Sequence, residues 1–140
     1  MRPSMGCDGW GTLKVLIMLD RLRDRAAQIL AETDLCTLAT TGPAGLQASM
    51  VQCAGRGIAL YLLVPDTSDH LFNLETEPEV AVTTETWQLH GTADLVQDSA
   101  GLFSTEQCQW HTLVRITPVR LHILPSSGPA NYAETIDFDG

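Results

Sequence analysis

The chain has 140 residues, of which 44% are hydrophobic, and this is enough apolar material for a single domain with one core. The formal net charge is −9 and Lys14 is the only lysine, so the clustered basic residues of a DNA- or RNA-binding surface are missing. The composition therefore excludes nucleic acid as an expected partner.

The apolar stretch near the N-terminus, residues 13–19, is too short to cross a bilayer, and no small-residue cleavage site follows it. We therefore predict a cytoplasmic protein that does not associate with membranes. Residues 1–12 contain three glycines and show no periodicity, which predicts a disordered lead, and Met18 is an alternative start of the protein. An amphipathic helix is predicted next, because apolar residues recur at steps of three and four from residue 13 to about residue 33.

The strands of the first half follow this helix. Segments 35–41 and 46–54 predict the two strands of a hairpin that turns at Gly-Pro-Ala-Gly. After a Gly-Arg-Gly turn, the nearly continuous apolar run at 58–64 predicts a third strand.

The acidic stretch DTSDHLFNLETEPEV, residues 66–80, carries five carboxylates and one histidine. Thr67 or Ser68 is predicted to cap a short helix, with three apolar residues on its buried side and His70 facing solvent on its first turn. The apolar residues are Leu71, Phe72 and Leu74. A helix N-terminus can also hold an anion, but the carboxylates disfavour one here.

Three more strands are predicted in the second half, at 79–85, 87–96 and 111–124, the last of them interrupted at Pro118. Apolar and polar residues alternate cleanly from Trp87 onwards, which indicates that one face of that strand is buried. A helix is predicted at 98–109, and residues 126–140 are predicted to form a loop-like C-terminal tail. Links of hairpin length between most strands favour a mainly β fold, an antiparallel barrel with flanking helices.

Neither the cysteines nor the histidines have the spacing of a metal site. The cysteines contain no Cys-x-x-Cys pair, so we predict mostly buried, reduced thiols and neither a zinc site nor a disulfide framework. Three histidines are spread over two predicted strands without a ligand-spaced pair, which favours core or surface positions over a metal or haem site. The residues are Cys7, Cys36, Cys53 and Cys108, and His90, His111 and His122.

Four pieces of the sequence, in this order and spacing, resemble the flavin-binding split-barrel family related to pyridoxamine 5′-phosphate oxidase. They are LCTLATTGPAGLQASMVQC, IALYLLV, SDHLFNLETEPEVAV and WQLHGTADLV. Within the third piece, Asn73, Leu74, Pro78 and Val80 are similar to the family's asparagine-leucine and proline-valine signature. The resemblance implies a six-stranded antiparallel split β-barrel with two or three short helices, spanning residues 13–125.

The resemblance also implies a homodimer that binds FMN in a groove between its subunits. The flavin ring is expected against the second and third strands, and the phosphate near the start of the short helix. A glutamine at position 88 corresponds to one that relatives place against the flavin. The implied cofactor-binding residues are Ser49, Met50, Val51, Leu63, Val64, Thr67, Ser68, His70, Asn73 and Gln88.

At the phosphate position this chain departs from the best-known members, in which a Ser-x-Lys precedes the asparagine. Here the three residues are Ser68, Asp69 and His70, and histidine replaces lysine in a subgroup of the family that includes haem-degrading relatives. If a phosphate binds here, His70 is the expected charge partner. The other cations of the barrel region are Arg56, Arg115 and Arg120.

The leading functional expectation is an FMN-dependent oxidoreductase acting on a small molecule that the sequence does not identify. The flavin carries the redox chemistry in such proteins, so no side chain is named as catalytic. The alternative is a split barrel without flavin, either a haem-binding relative or a cofactor-free dimeric scaffold.

Overall fold

The computed structural model describes residues 21–97, 101–124 and 134–138. The predicted disordered lead and the first part of the predicted N-terminal helix lie outside these ranges. Within them, helix α1 covers 21–31, α2 covers Asp69–Leu74 and α3 covers Thr105–Cys108. The strands are β1 (Leu35–Thr40), β2 (Gln47–Arg56), β3 (Ala59–Pro65), β4 (Glu79–Thr83), β5 (Trp87–Val96), β6 (His111–Ile123) and β7 (Glu134–Asp137).

All strand pairs are antiparallel, in the order β3-β2-β1-β4-β5-β6-β7. An additional pairing of β3 with β6 closes the first six strands into a barrel and leaves β7 as an extra strand on the far side of β6. The prediction of a mainly β fold with a six-stranded antiparallel barrel is therefore confirmed.

The barrel interior is filled by the inward-facing apolar residues of the strands. Strand β5 shows the predicted alternation, with Trp87 and Leu89 buried and His90 exposed. Helix α1 adds Ala26 and Leu30 to the same core. It packs so closely on β2 that a Cβ at Gly55 would lie 2.5 Å from the backbone carbonyl carbon of Leu30.

Two of the predicted buried thiols contribute to this interior. Cys36 and Cys53 are buried and unpaired, as expected. A hydrogen bond with Cys53 and burial both raise the pKa of the Cys36 thiol. The Cys36 thiol is therefore a protonated, inert core group at neutral pH.

The structure corrects three element predictions. Part of the predicted loop-like tail forms β7, because Ile136 is apolar and becomes buried when the segment pairs with β6. The first three residues of the helix expected at 98–109 lie outside the described ranges; within 101–109 the helix is a single turn that starts at a capping box formed by Ser104 and Gln107. Strand β6 continues through Pro118, because the register shift between His90 and Gly91 of β5 accommodates it as a β-bulge. None of the helices in the described ranges is long and apolar enough to span a membrane.

Candidate functional site

Helix α2 lies where the sequence places the acidic stretch, directly after β3. Ser68 is its N-cap, and the Ser68 hydroxyl accepts a hydrogen bond from the backbone N–H of His70 at 3.1 Å. The two buried residues of the helix are polar, His70 and Asn73, while Phe72 is 51% exposed. The expectation that Phe72 lies on the buried side is therefore wrong, since positions 70 and 73 occupy the face turned towards the barrel.

His70 is the centre of a buried polar network, and its expected position facing solvent is also wrong. Only 2% of the residue is exposed. Its Nδ1 atom lies 2.7 Å from Oγ1 of Thr40 on β1, and its Nε2 atom lies 2.7 Å from Oγ of Ser49 on β2. Both ring nitrogens are thus engaged with hydroxyl groups of the first hairpin.

Asn73 extends the network to the loop that joins β1 and β2. Its Nδ2 group donates to Oγ1 of Thr40 at 3.0 Å and to the carbonyl oxygen of Gly45 at 2.9 Å. Its Oδ1 atom accepts from the backbone N–H of Ala44 at 2.8 Å. The loop passes so near that a Cβ at Gly42, where φ is +154°, would lie 2.9 Å from Oδ1 of Asn73. Asn73 therefore anchors the hairpin loop to α2.

One tautomer of His70 that satisfies these hydrogen bonds has its ring proton on Nε2. Thr40 Oγ1 already accepts from Asn73, so its single proton is available for Nδ1 of His70. Nε2 then carries the ring proton and donates to Ser49 Oγ. In this tautomer no imidazole lone pair faces the serine hydroxyl, so Ser49 and His70 do not form a nucleophile–base pair.

The same surroundings keep His70 neutral. Burial lowers the pKa of His70, and the nearby Asp69 carboxylate opposes this shift as the smaller effect. A second ring proton would point at Thr40 Oγ1, leaving the threonine proton without its acceptor. The environment therefore does not provide the imidazolium expected of a phosphate partner.

Beside this network, β2 has an open edge over residues 47–51. Its pairing with β3 ends at Gln52 and Leu63, while pairing with β1 continues to Gln47. The backbone N–H of Cys53 donates to Asp34 at 3.0 Å on the β1 side, so by alternation the backbone groups of Ala48 and Met50 point away from β1. No described strand pairs with them there.

This edge carries neither of the usual protections. Strands at sheet edges are commonly guarded by charged residues or proline, and residues 46–51, Leu-Gln-Ala-Ser-Met-Val, contain no such residue. Met50 is 70% exposed and Leu46 is 87% exposed. The edge therefore presents unpaired peptide groups beside exposed apolar side chains.

The remaining implied cofactor residues are distributed around this edge. The side chains of Val51 and Val64 are buried in the barrel core, and Leu63 is buried in a second cluster with Phe103 and Leu113. Thr67 is exposed just before α2. Gln88 is linked to Met50 by successive strand pairings, through Thr37 on β1 and Thr83 on β4. Three strand spacings of about 4.8 Å place it roughly 14 Å from β2. The structure thus brings Ser49, Ser68, His70 and Asn73 together, and it places Gln88 apart from them in the same molecule.

A shallow groove crosses the outer face of the sheet next to the open edge. Alanines at positions 39 and 81 form its floor, while Leu46, Val119 and His90 line its sides, and its volume is about 540 Å³. Ala48 continues the alanine row on β2, because it pairs with the alanine at position 39. Small side chains on the sheet and large ones at its margins make this face flat enough for a planar ligand or a second protein surface to lie against it.

Cations are scarce around α2. Arg115 lies in a register row with Ala54 of β2, five residues from Ser49 and roughly 16 Å along the strand at about 3.3 Å per residue. Its guanidinium forms an ion pair with Asp94 at 2.6 Å. Arg120 pairs with Asp137 at 2.7 Å on the outer face. Arg56 lies on β2 two residues beyond Ala54, and is therefore still farther from Ser49. No arginine in the described ranges contacts α2 through a hydrogen bond or an ion pair.

Nowhere in the described residues do three His, Cys, Asp or Glu side chains come together as a potential metal-binding group.

One member of the network around His70, Thr40, was not predicted from the sequence. The signal was present, because the alternation of β1 puts Thr40 on the inward face after Cys36 and Leu38. A polar residue on an otherwise apolar inward face needs a buried hydrogen-bond partner.

No protein-family model matches the chain. No curated protein matches it by sequence either. Similar solved structures do exist. General stress protein 26 from Bacillus anthracis is 13% identical, with a TM-score of 0.61 over 79% of this chain and 95% of that one. A protein from Clostridium acetobutylicum related to general stress protein 26, of the pyridoxinephosphate oxidase family, is 13% identical, with a TM-score of 0.61 over 85% of this chain and 96% of that one.

A heme-binding protein from Mycobacterium smegmatis is 18% identical, with a TM-score of 0.59 over 80% of this chain and 56% of that one. Likeness at these identities is evidence of a shared fold, and a shared fold does not fix the ligand. The resemblance predicted from the sequence is therefore confirmed at the level of fold: the chain shares its split-barrel fold with these structures, one of which is described as belonging to the pyridoxinephosphate oxidase family.

Proposed function

We propose that the chain is a flavin-binding split-barrel protein whose flavin ring lies along the open edge of β2, and that it acts as an oxidoreductase on a small molecule. The observation that carries this proposal is the backbone at Ala48 and Met50, which no strand in the described ranges pairs on the side away from β1. A flavin ring presents carbonyl oxygens, ring nitrogens and an N–H group along one side, and these complement outward peptide groups on a strand edge. When bound, the flavin supplies the redox chemistry, and the protein supplies placement.

The proposal includes a homodimer. Exposed apolar residues at Leu35, Leu46 and Met50 flank the alanine row of the outer face, and a patch of this kind favours association. A second copy seated there would turn the open edge of β2 into a wall of an enclosed groove.

Proline substitution at Met50 tests the position of the ring. The N–H of Met50 points away from β1, so Met50→Pro removes a donor to the ligand and leaves the ladder between β1 and β2 in place. We expect Met50→Pro to weaken flavin binding at least tenfold, as measured by quenching of flavin fluorescence. Met50→Ala is the control, because it removes the side chain but keeps the N–H, and it should bind within about threefold of the original protein.

If the two variants bind flavin equally well, the ring does not lie along this edge.

The visible spectrum of the purified protein distinguishes the alternative functions. Flavin absorption supports the proposal, a Soret band identifies a haem-binding barrel, and a colourless protein that flavin titration leaves unchanged identifies a scaffold.

A further inference from the structure

The acidic stretch that includes α2 offers a phosphate little to bind. A phosphate monoester carries nearly two negative charges and is normally held by arginine, lysine or several backbone N–H groups. Here both ring nitrogens of His70 are occupied by Thr40 and Ser49. Two backbone N–H groups at the start of this six-residue helix are bonded to its N-cap residue, since those of His70 and Leu71 both donate to Ser68. The His70 ring and these two N–H groups are therefore already used within the protein.

The charges that do face solvent here are negative. Asp66 and Asp69 are exposed on either side of Ser68, and Glu75, Glu77 and Glu79 follow the helix. The Asp66 carboxylate accepts a hydrogen bond from Thr112 at 2.7 Å, which does not neutralise it. His111 is the cationic candidate in register with this connection, opposite Pro65, and its Nδ1 group donates to the carbonyl oxygen of Gln109. Among the described residues, this segment therefore has five carboxylates and one exposed imidazole in register with it.

We infer that the ligand of this site is a flavin without a 5′-phosphate. This inference rests on the proposed function, because it takes the flavin ring to lie on the β2 edge. The edge of β2 binds the ring through peptide groups, which are indifferent to the charge at the end of the ribityl chain. The acidic stretch repels a phosphate placed there, so the site selects against FMN and for riboflavin.

Binding of riboflavin and FMN to the full chain, measured by fluorescence quenching at low ionic strength, tests the inference. Riboflavin should bind more tightly than FMN, by up to about tenfold, as expected for repulsion across several ångströms of water. Raising salt from about 0.03 M to about 0.5 M should tighten FMN binding and leave riboflavin unchanged, because screening weakens repulsion. FMN binding that equals or exceeds riboflavin binding, or that weakens with salt, would overturn the inference.

A charge-reversal variant makes the test local. Asp69→Lys should tighten FMN binding about tenfold with little effect on riboflavin, because it puts a cation at the first turn of α2. Glu106→Lys on α3 changes the net charge equally and is the control; its effect on FMN should stay below about threefold. Equal responses of the two variants would contradict a local effect. Failure of both flavins to bind overturns the proposed function and this inference together, whereas tight binding of FMN alone overturns the inference and leaves the proposed function standing.

Discussion

Replacing Asn73 with alanine should cost the protein about 3 kcal/mol of its free energy of unfolding. The amide makes three hydrogen bonds, to Thr40, Gly45 and Ala44, and a net contribution of about 1 kcal/mol for each gives this sum. Water cannot replace the amide fully, because Asn73 is completely buried. Part of the Gly45 carbonyl's loss is recovered from solvent, since that residue is exposed.

Urea unfolding measures this cost. With a slope of about 2 kcal/mol per molar urea, the midpoint should fall by about 1.5 M. Thr76→Ala is a matched control beyond the end of the same helix, because the Thr76 hydroxyl makes a single long bond of 3.4 Å, and its loss should change stability by less than about 0.5 kcal/mol. A cost below about 1 kcal/mol for Asn73→Ala would refute the view that this amide holds the hairpin loop to α2. Combining it with Thr40→Val should give a cost smaller than the sum of the two single variants, since the residues share a bond.

Three further outcomes follow from the network, the helix packing and the outer face. Because folding lowers the pKa of His70, the unfolded chain binds more protons than the folded protein below the ordinary value of 6.5. The stability of the original protein relative to His70→Gln, measured by urea unfolding from about pH 8 to about pH 5, should therefore fall as the pH falls. A difference that stays constant over this range would contradict a neutral buried ring. Gly55→Ala should cost about 2–4 kcal/mol in the same assay, because its Cβ would meet the backbone of α1, whereas Gly57→Asn, at a φ of +60° with no neighbours within 4 Å, should cost less than about 1 kcal/mol. Sedimentation at micromolar concentration should give a dimer, and Met50→Glu should shift it towards monomer; a monomeric original protein would remove the groove between subunits.

Strand positions and their order were predictable from sequence because the strands show either alternation between a buried and an exposed face, as in β5, or a nearly continuous apolar run, as in β3. The run from Trp87 to Val96 is predicted at its exact bounds, since its alternation is clean and polar residues mark the exposed face. Strand β7 was not predictable in the same way, because four residues carry too little periodicity and the segment is a strand only by pairing with β6.

The candidate site was predictable in its residues but not in their directions. The resemblance brought out Ser49, Ser68, His70 and Asn73, and the structure places them in contact. The local sequence pattern predicted that Phe72 is buried and His70 is exposed, because that prediction used only the polarity of each residue. A buried polar pair becomes favourable only when Thr40 and Ser49 arrive from the neighbouring hairpin, which is a tertiary event. For the same reason, a lysine in place of His70 would put a charge in this interior, so Asp69 is the better position for restoring one.

Closure of the barrel by β3 and β6 governs the order in which the protein folds. The hairpin of β1 and β2 joins neighbouring segments, but Leu60 pairs with Ile116 and Pro65 with His111, across a much longer stretch of chain. Loop-closure entropy makes such distant pairings late and slow events in folding. During synthesis the chain therefore exposes an incomplete barrel until β6 has left the ribosome, and the uncharged strands β1 and β3 are open to wrong pairing during that interval.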